Sequence, residues 1–150
     1  MSSISASAGV AVRSAPLWRR FACMFYDLLP LVGLWMVAAA VWALVFRDFY
    51  HPEHPGLLPR TVLDLWLLLV TACYFVASWA RVGQTIGMRA WKVKLVRDAD
   101  RRVGVRIAAL RFVLALLSLA ALGAGFWYAW FDAERCTWHD RVCGTRMVRL

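Results

Sequence analysis

The sequence predicts an all-α membrane protein with about three transmembrane helices and a small cytoplasmic β-hairpin between the second and the third. Three observations carry this expectation. Hydrophobic residues make up 62% of the 150-residue chain and the mean hydropathy is +0.59, well above the roughly half expected of a soluble domain. The apolar residues gather into three long runs, and the basic residues gather between them. One basic stretch changes its periodicity from helical to alternating.

Residues 1–15 are rich in Ser and Ala and lack apolar periodicity, so they read as a disordered tail ahead of a single domain over 16–150. The first apolar run, 21–46, exceeds the roughly twenty residues that cross a hydrocarbon core. Arg19 and Arg20 precede it as in a signal peptide, but Asp27, Pro30 and the continuation through Trp42 to Phe46 suit a retained helix better. Residues 47–60 carry Pro52, Pro55, Gly56 and Pro59 and form a loop. A second span follows over 61–80, closed by Trp79 and Arg81.

Residues 81–106 hold eight Lys or Arg against two Asp, a density that resists translocation and marks a cytoplasmic loop. Two spans separate this loop from the amino terminus, so that end is cytoplasmic as well. Within the loop Trp91, Val93 and Leu95 alternate with Lys92 and Lys94, and Val103 and Val105 alternate beyond a turn at Asp98 to Asp100. The pattern predicts a hairpin lying on the membrane face, with Arg89, Lys92 and Lys94 toward lipid headgroups.

The third run, 107–131, is interrupted by Arg111 and by Gly123 and Gly125. It either crosses once or turns back at the glycines. The basic tail favours return by the positive-inside rule, whereas a continuous span satisfies its own backbone, which inclines the reading to a single crossing.

A charge of +9 would suit nucleic acid, but basic residues distributed between membrane spans present no soluble basic face, so none is expected to bind. Four scattered cysteines give no disulfide framework. Cys136, His139 and Cys143, and separately His51 and His54, fall short of the four ligands of a structural zinc site, so neither metal nor cofactor is expected. With no phosphate loop, nucleophile elbow or paired catalytic carboxylates, nothing points to an enzyme.

Ionisable groups inside a membrane need partners or a wet site. Asp27 and Arg111 each lie a turn or two inside their runs at the cytoplasmic end, which predicts an Asp27–Arg111 ion pair. Arg20 and Asp27, seven residues apart, share one helical face. Asp64 reads as an interfacial carboxylate at the outer end of the second span.

Three separated motifs then carry a resemblance: Arg19-Arg-Phe-Ala with Asp27, Gly83-Gln-Thr-Ile-Gly-Met-Arg, and His139-Asp-Arg-Val-Cys-Gly-Thr. Together, across residues 17–148, they resemble the RDD family of small bacterial membrane proteins, named for one arginine and two aspartates. Matched by position these are Arg20, Asp27 and Asp140, followed by Gly144 and Thr145; Cys143 stands where the family usually has a smaller residue. The resemblance implies the bacterial cytoplasmic membrane and a transport role, with monovalent cation/proton exchange proposed for some members. An intramembrane site of Arg20, Asp27, Arg111 and Asp140 would serve such a role, and three short spans would need an oligomer or a larger partner to enclose a pathway. The alternative is a non-transporting factor that binds lipid or protein through its basic loop. A shared site requires Asp140 to reach the end of the membrane that holds Arg20.

Overall fold

Two helices dominate the computed structural model, which describes residues 14–47, 57–97, 103–121 and 137–150. Helix α1 (Leu17–Val45) and helix α2 (Leu57–Arg81) are long enough to cross a bilayer, and their most apolar windows have mean hydropathies of 2.3 and 1.8. Only 11% of the first window and none of the second is buried within the protein. Helices that apolar, with their sides uncovered, require lipid rather than a protein core as their solvent.

The two helices run antiparallel. The Trp35 indole donates to Thr71 Oγ1 at 2.8 Å and the Trp66 indole to the Ala38 carbonyl at 3.2 Å, so one chain rises as the other descends. On α1 the buried residues are Arg20, Cys23, Asp27, Leu31 and Ala38. Their spacing of three, four, four and seven makes a single inward stripe. Pro30 lies inside α1 and removes one backbone donor, freeing the Tyr26 carbonyl from its helical partner.

After α2 the chain forms a small cap at the end where α1 begins. Short helix α3 (Ile86–Ala90) leads into strand β1 (Val93–Arg97), and helix α4 (Val105–Ala120) follows. The described chain resumes with helix α5 (Trp138–Cys143) and strand β2 (Thr145–Arg149). Strands β1 and β2 pair antiparallel, with Val93 opposite Arg149 and Arg97 opposite Thr145. Ser14 bridges to Val148 on the other side of β2, and the Ala15 N–H donates to the Met147 carbonyl at 2.8 Å. Ala15, Cys23, Trp79, Met88, Val93, Leu95, Val103 and Ala108 fuse these pieces into one apolar core.

Three expectations change. Residues 93–97 form the strand that the alternation predicts, but its partner is β2 near the carboxyl terminus rather than Val103 and Val105. Gly104 caps α4 immediately after Val103, so Val103 is buried ahead of the helix while Val105 opens it with an exposed side chain; residues 98–102 lie outside the described residues. Of the tail expected over 1–15, residues 1–13 lie outside the described residues, while Ser14 and Ala15 are built into the sheet.

The third change concerns the last apolar run. Arg111 on α4 and Asp140 on α5 form an ion pair, and Asp140 also meets Arg20. A single crossing between residues 107 and 131 would hold these groups about 30 Å apart. The chain therefore leaves the cap along α4 and is back beside it at Thr137; Gly123 and Gly125, where the turn was expected, lie outside the described residues. Reporter domains fused ahead of Ser14 and after Leu150 should accordingly read the same side of the membrane in an accessibility assay. Opposite readings would contradict the Arg20–Asp140 contact.

Candidate functional site

The site grows from a seven-residue step on α1. Arg20 and Asp27 both face inward at 3% and 2% exposure, and each is satisfied in a different way. Arg20 Nη1 donates to Asp140 Oδ2 at 2.5 Å and Arg20 Nε to the Ala15 carbonyl at 3.1 Å. From the opposite side Arg111 Nη1 donates to Asp140 Oδ1 and, at 2.7 Å, to Thr145 Oγ1. Asp140 is wholly buried between two guanidiniums.

Local chemistry places Asp140 there. Thr137 caps α5, and Asp140, three residues on, accepts from the Thr137 N–H at 3.2 Å. That is the carboxylate half of a capping box, and an anion at a helix start is also favoured electrostatically. Gly144 then takes φ +57°, a left-handed conformation that disfavours other residues, and turns the chain from α5 into β2. The turn delivers Thr145 to Arg111. Burial alone would raise the Asp140 carboxyl, but Arg111, Arg20 and His139 outweigh it and hold the group well below the usual carboxylate range. His139, buried beside them, is pushed down to about 4 by burial and by the Arg111 charge.

Asp27 uses dipoles instead of cations. Its Oδ1 accepts from Tyr74 Oη and from the Gly87 N–H, both at 2.8 Å, and its Oδ2 accepts from Thr85 Oγ1 at 2.6 Å. Thr85 caps α3 and in turn accepts from the Met88 N–H at 3.2 Å. Gly87 is required by contact: a Cβ there would sit 2.1 Å from the Cys23 carbonyl oxygen and 2.9 Å from the Asp27 carboxyl carbon. The expected Asp27–Arg111 ion pair is not formed. Arg111 turns to Asp140, while Asp27 is occupied by α2 and α3.

Arg20, Asp27 and Arg111 nevertheless line one cavity of about 510 Å³ between α1, α2 and α4. His139 and Thr85 complete its polar end, and Asp64 lines it as well. The remaining wall is apolar apart from Thr71, whose hydroxyl donates to the Leu67 carbonyl at 2.8 Å. Of the basic residues expected at the lipid surface, Arg89 and Lys92 are exposed, and Lys94 is half-buried beside Gly83. Cys143 and His139 are buried; Cys136, His51 and His54 lie outside the described residues. The sequence reading missed Tyr74 and Thr85 as partners of Asp27. Thr85 was detectable as a cap before Ile86, whereas nothing in the sequence marks Tyr74.

Removing the Asp140 charge leaves two buried cations facing each other. Asp140→Asn should therefore cost roughly 3–5 kcal/mol, measured by thermal unfolding in detergent. In double-mutant cycles Arg111 should couple to Asp140 and be additive with Asp27; coupling to Asp27 alone would refute the partnering. Gly87→Ala should unfold the protein at markedly lower temperature, whereas Gly33→Ala, with nothing within 4 Å of its Cβ, should not. The depressed His139 value means that the unfolded chain takes up a proton first as pH falls from 6.5 towards about 4, so stability declines across that window. His139→Gln should flatten this slope, and melting curves at pH 7.5 and 5 would detect it. The Asp140 contribution persists throughout, because its carboxyl titrates only at still lower pH.

The model of one protein family, described as the RDD family, matches residues 14–144. No curated protein and no solved structure matches the chain. The matched span contains Arg20, Asp27, Arg111 and Asp140. With its two long apolar helices and this buried cluster, the chain belongs to the RDD family of membrane proteins.

Proposed function

We propose that the chain is a multi-pass protein of the bacterial cytoplasmic membrane whose intramembrane cavity conducts a small solute, with the Arg20–Asp140–Arg111 cluster as its closed cytoplasmic end. The cavity is the observation that carries the reading. It begins on Arg20, Asp27 and Arg111 and reaches Asp64, seventeen residues before the end of α2, or about 25 Å along a helix axis. A space of that reach in a membrane bundle, ending on ionic groups, suits passage or binding of a solute better than it suits catalysis.

Orientation follows from charge. Arg89, Lys92, Arg97, Arg106, Arg141 and Arg149 are exposed around the cap, and the positive-inside rule assigns that end to the cytoplasm together with the amino terminus. The same residues can touch anionic headgroups, which in this reading anchors the cap. A pathway walled on all sides needs more helices than the described ones, so a second copy or a larger membrane partner completes it.

The monovalent cation/proton exchange implied by the family requires a carboxylate that can change partners. Asp27 and Asp140 are both fully engaged. Asp64, exposed and facing the cavity, is the carboxylate that this form of the reading rests on. The test uses everted membrane vesicles with a ΔpH-sensitive dye and additions of sodium or potassium. Ala115→Trp, which places a large side chain in the cavity wall, should abolish exchange in a protein that still folds, and Asp64→Asn should abolish it as well. An Arg89→Gln, Lys92→Gln pair should leave it close to the unsubstituted level. Full exchange in folded Ala115→Trp would refute the cavity as the route.

A further inference from the structure

The charged groups at the inner end of the cavity account for one another. Arg20 and Arg111 both bond to Asp140, and Asp27 lines the same end with its three hydrogen bonds in place. Two cations therefore stand with two carboxylates. His139 beside them is neutral at pH 7, pushed down to about 4 by burial and by the Arg111 charge. Asp64 is the charge left over on the cavity wall. It lines the cavity from α2 and is exposed, and among the described residues no hydrogen bond or ion pair engages it, Arg60 one turn before it included.

The wall on the cap side of Asp64 is aromatic. Thr71, seven residues on, shares the Asp64 face of α2 and accepts from the Trp35 indole at 2.8 Å. Phe75 follows one turn later and stacks near Phe112 of α4, with ring centres 6.1 Å apart. Trp35, Thr71, Phe75 and Phe112 all line the cavity. An alkali ion that keeps its water meets the carboxylate and gains little from these rings. An organic cation, whose charge lies under carbon and binds water weakly, gains from both. A volume of about 510 Å³ also falls in the range of sites that enclose one small molecule.

We infer that the cavity is a binding site for a monovalent organic cation with an aromatic body, its charged centre against Asp64 and its body along Trp35, Phe75 and Phe112. This rests on the reading of the cavity as the solute site and names the class of cation favoured there. Sodium and potassium share the carboxylate, with their water retained. From Asp64 to Phe75 the wall runs about 16 Å along the helix axis, room for a body of several rings. A neutral molecule of the same shape gains the wall without the carboxylate, and an anion is repelled by it.

Ethidium, a fluorescent monovalent aromatic cation, would be titrated against the purified full-length protein in nanodiscs of zwitterionic lipid, with binding read by fluorescence anisotropy. Binding should saturate. Tetraphenylphosphonium should displace the dye, and sodium should do so only at far higher concentration. Phenanthridine, the uncharged ring system of ethidium, should not displace it at the concentration where tetraphenylphosphonium does. Asp64→Asn should weaken binding about tenfold, the effect of one lost charge pair, and Asp64→Glu should restore most of it. Ala115→Trp should remove saturable binding from a folded protein. Absence of saturable binding to the unsubstituted protein, unchanged affinity in Asp64→Asn, or equal displacement by phenanthridine would each overturn the inference. The exchange assay keeps the two readings apart. Sodium or potassium exchange blocked by Ala115→Trp, without ethidium binding, leaves the route standing and removes the organic cation; ethidium binding to the unsubstituted protein beside full exchange in Ala115→Trp removes the route and keeps the site.

Discussion

A carboxylate at zero exposure between two guanidiniums holds the two ends of this chain together. Asp140 bonds to Arg20 at the start of α1 and to Arg111 on α4, so three segments distant in sequence meet at one buried group. The arrangement tolerates little change, because each charge is buried only by virtue of the others. The sheet beneath depends on it too: α5 presents Asp140, Gly144 reverses the chain, and β2 then falls between β1 and the residues leading into α1. The ion cluster acts with strand pairing and the buried Cys143 and Val148 to dock the carboxyl-terminal segment on the bundle.

Asp140 and Asp27 solve the same problem by different chemistry. Asp140 is neutralised by cations, whereas Asp27 receives two hydroxyls and a backbone N–H, a set of dipoles that accommodates a carboxylate without a counter-ion. Their jobs differ accordingly. Asp140 ties the carboxyl-terminal cap to the bundle, and Asp27 ties α3 to α1 through a glycine with no room for a side chain. In each case the carboxylate already has its full set of partners, and of the two only Asp27 lines the cavity.

The two long helices and the cap pack in different ways. Large apolar side chains on α1 and α2, among them Phe25, Leu29, Met36 and Leu65, are exposed; in a bilayer they contact lipid and gain nothing from packing inward. The inward contacts between α1 and α2 rest on small or polar groups such as Ala38, Thr71 and Tyr74. Larger side chains, Leu67, Phe75 and Phe112 among them, wall the cavity between these contacts. The cap, by contrast, packs as a soluble core does, with Val93, Leu95 and Met88 almost fully buried.

The sequence by itself determined that the chain lives in a membrane, where two of its spans lie, that a strand runs through Val93 and Leu95, and that Asp27 and Arg111 are ionisable groups in apolar surroundings with Arg20 on the face of Asp27; Asp140 entered only through the family resemblance. Apart from Asp140, each follows from local pattern: run length, alternation, a seven-residue step, and ionisable groups in apolar surroundings. Tertiary structure alone decided the partners. Asp27 lies at the same depth as Arg111, which made their pairing reasonable from the sequence, but the proximity of Asp140, 29 residues further on, and of Gly87, 60 residues away from Asp27, is a property of how the segments fold back. Alternation marks a strand without naming the strand beside it, so β1 found β2 rather than the nearer Val103. The return of the chain to the cap at Thr137 was decided in the same way. Backbone satisfaction favours one crossing for an isolated helix, and a buried ion cluster joining Arg20, Arg111 and Asp140 outweighs that preference by requiring all three at one end of the bundle.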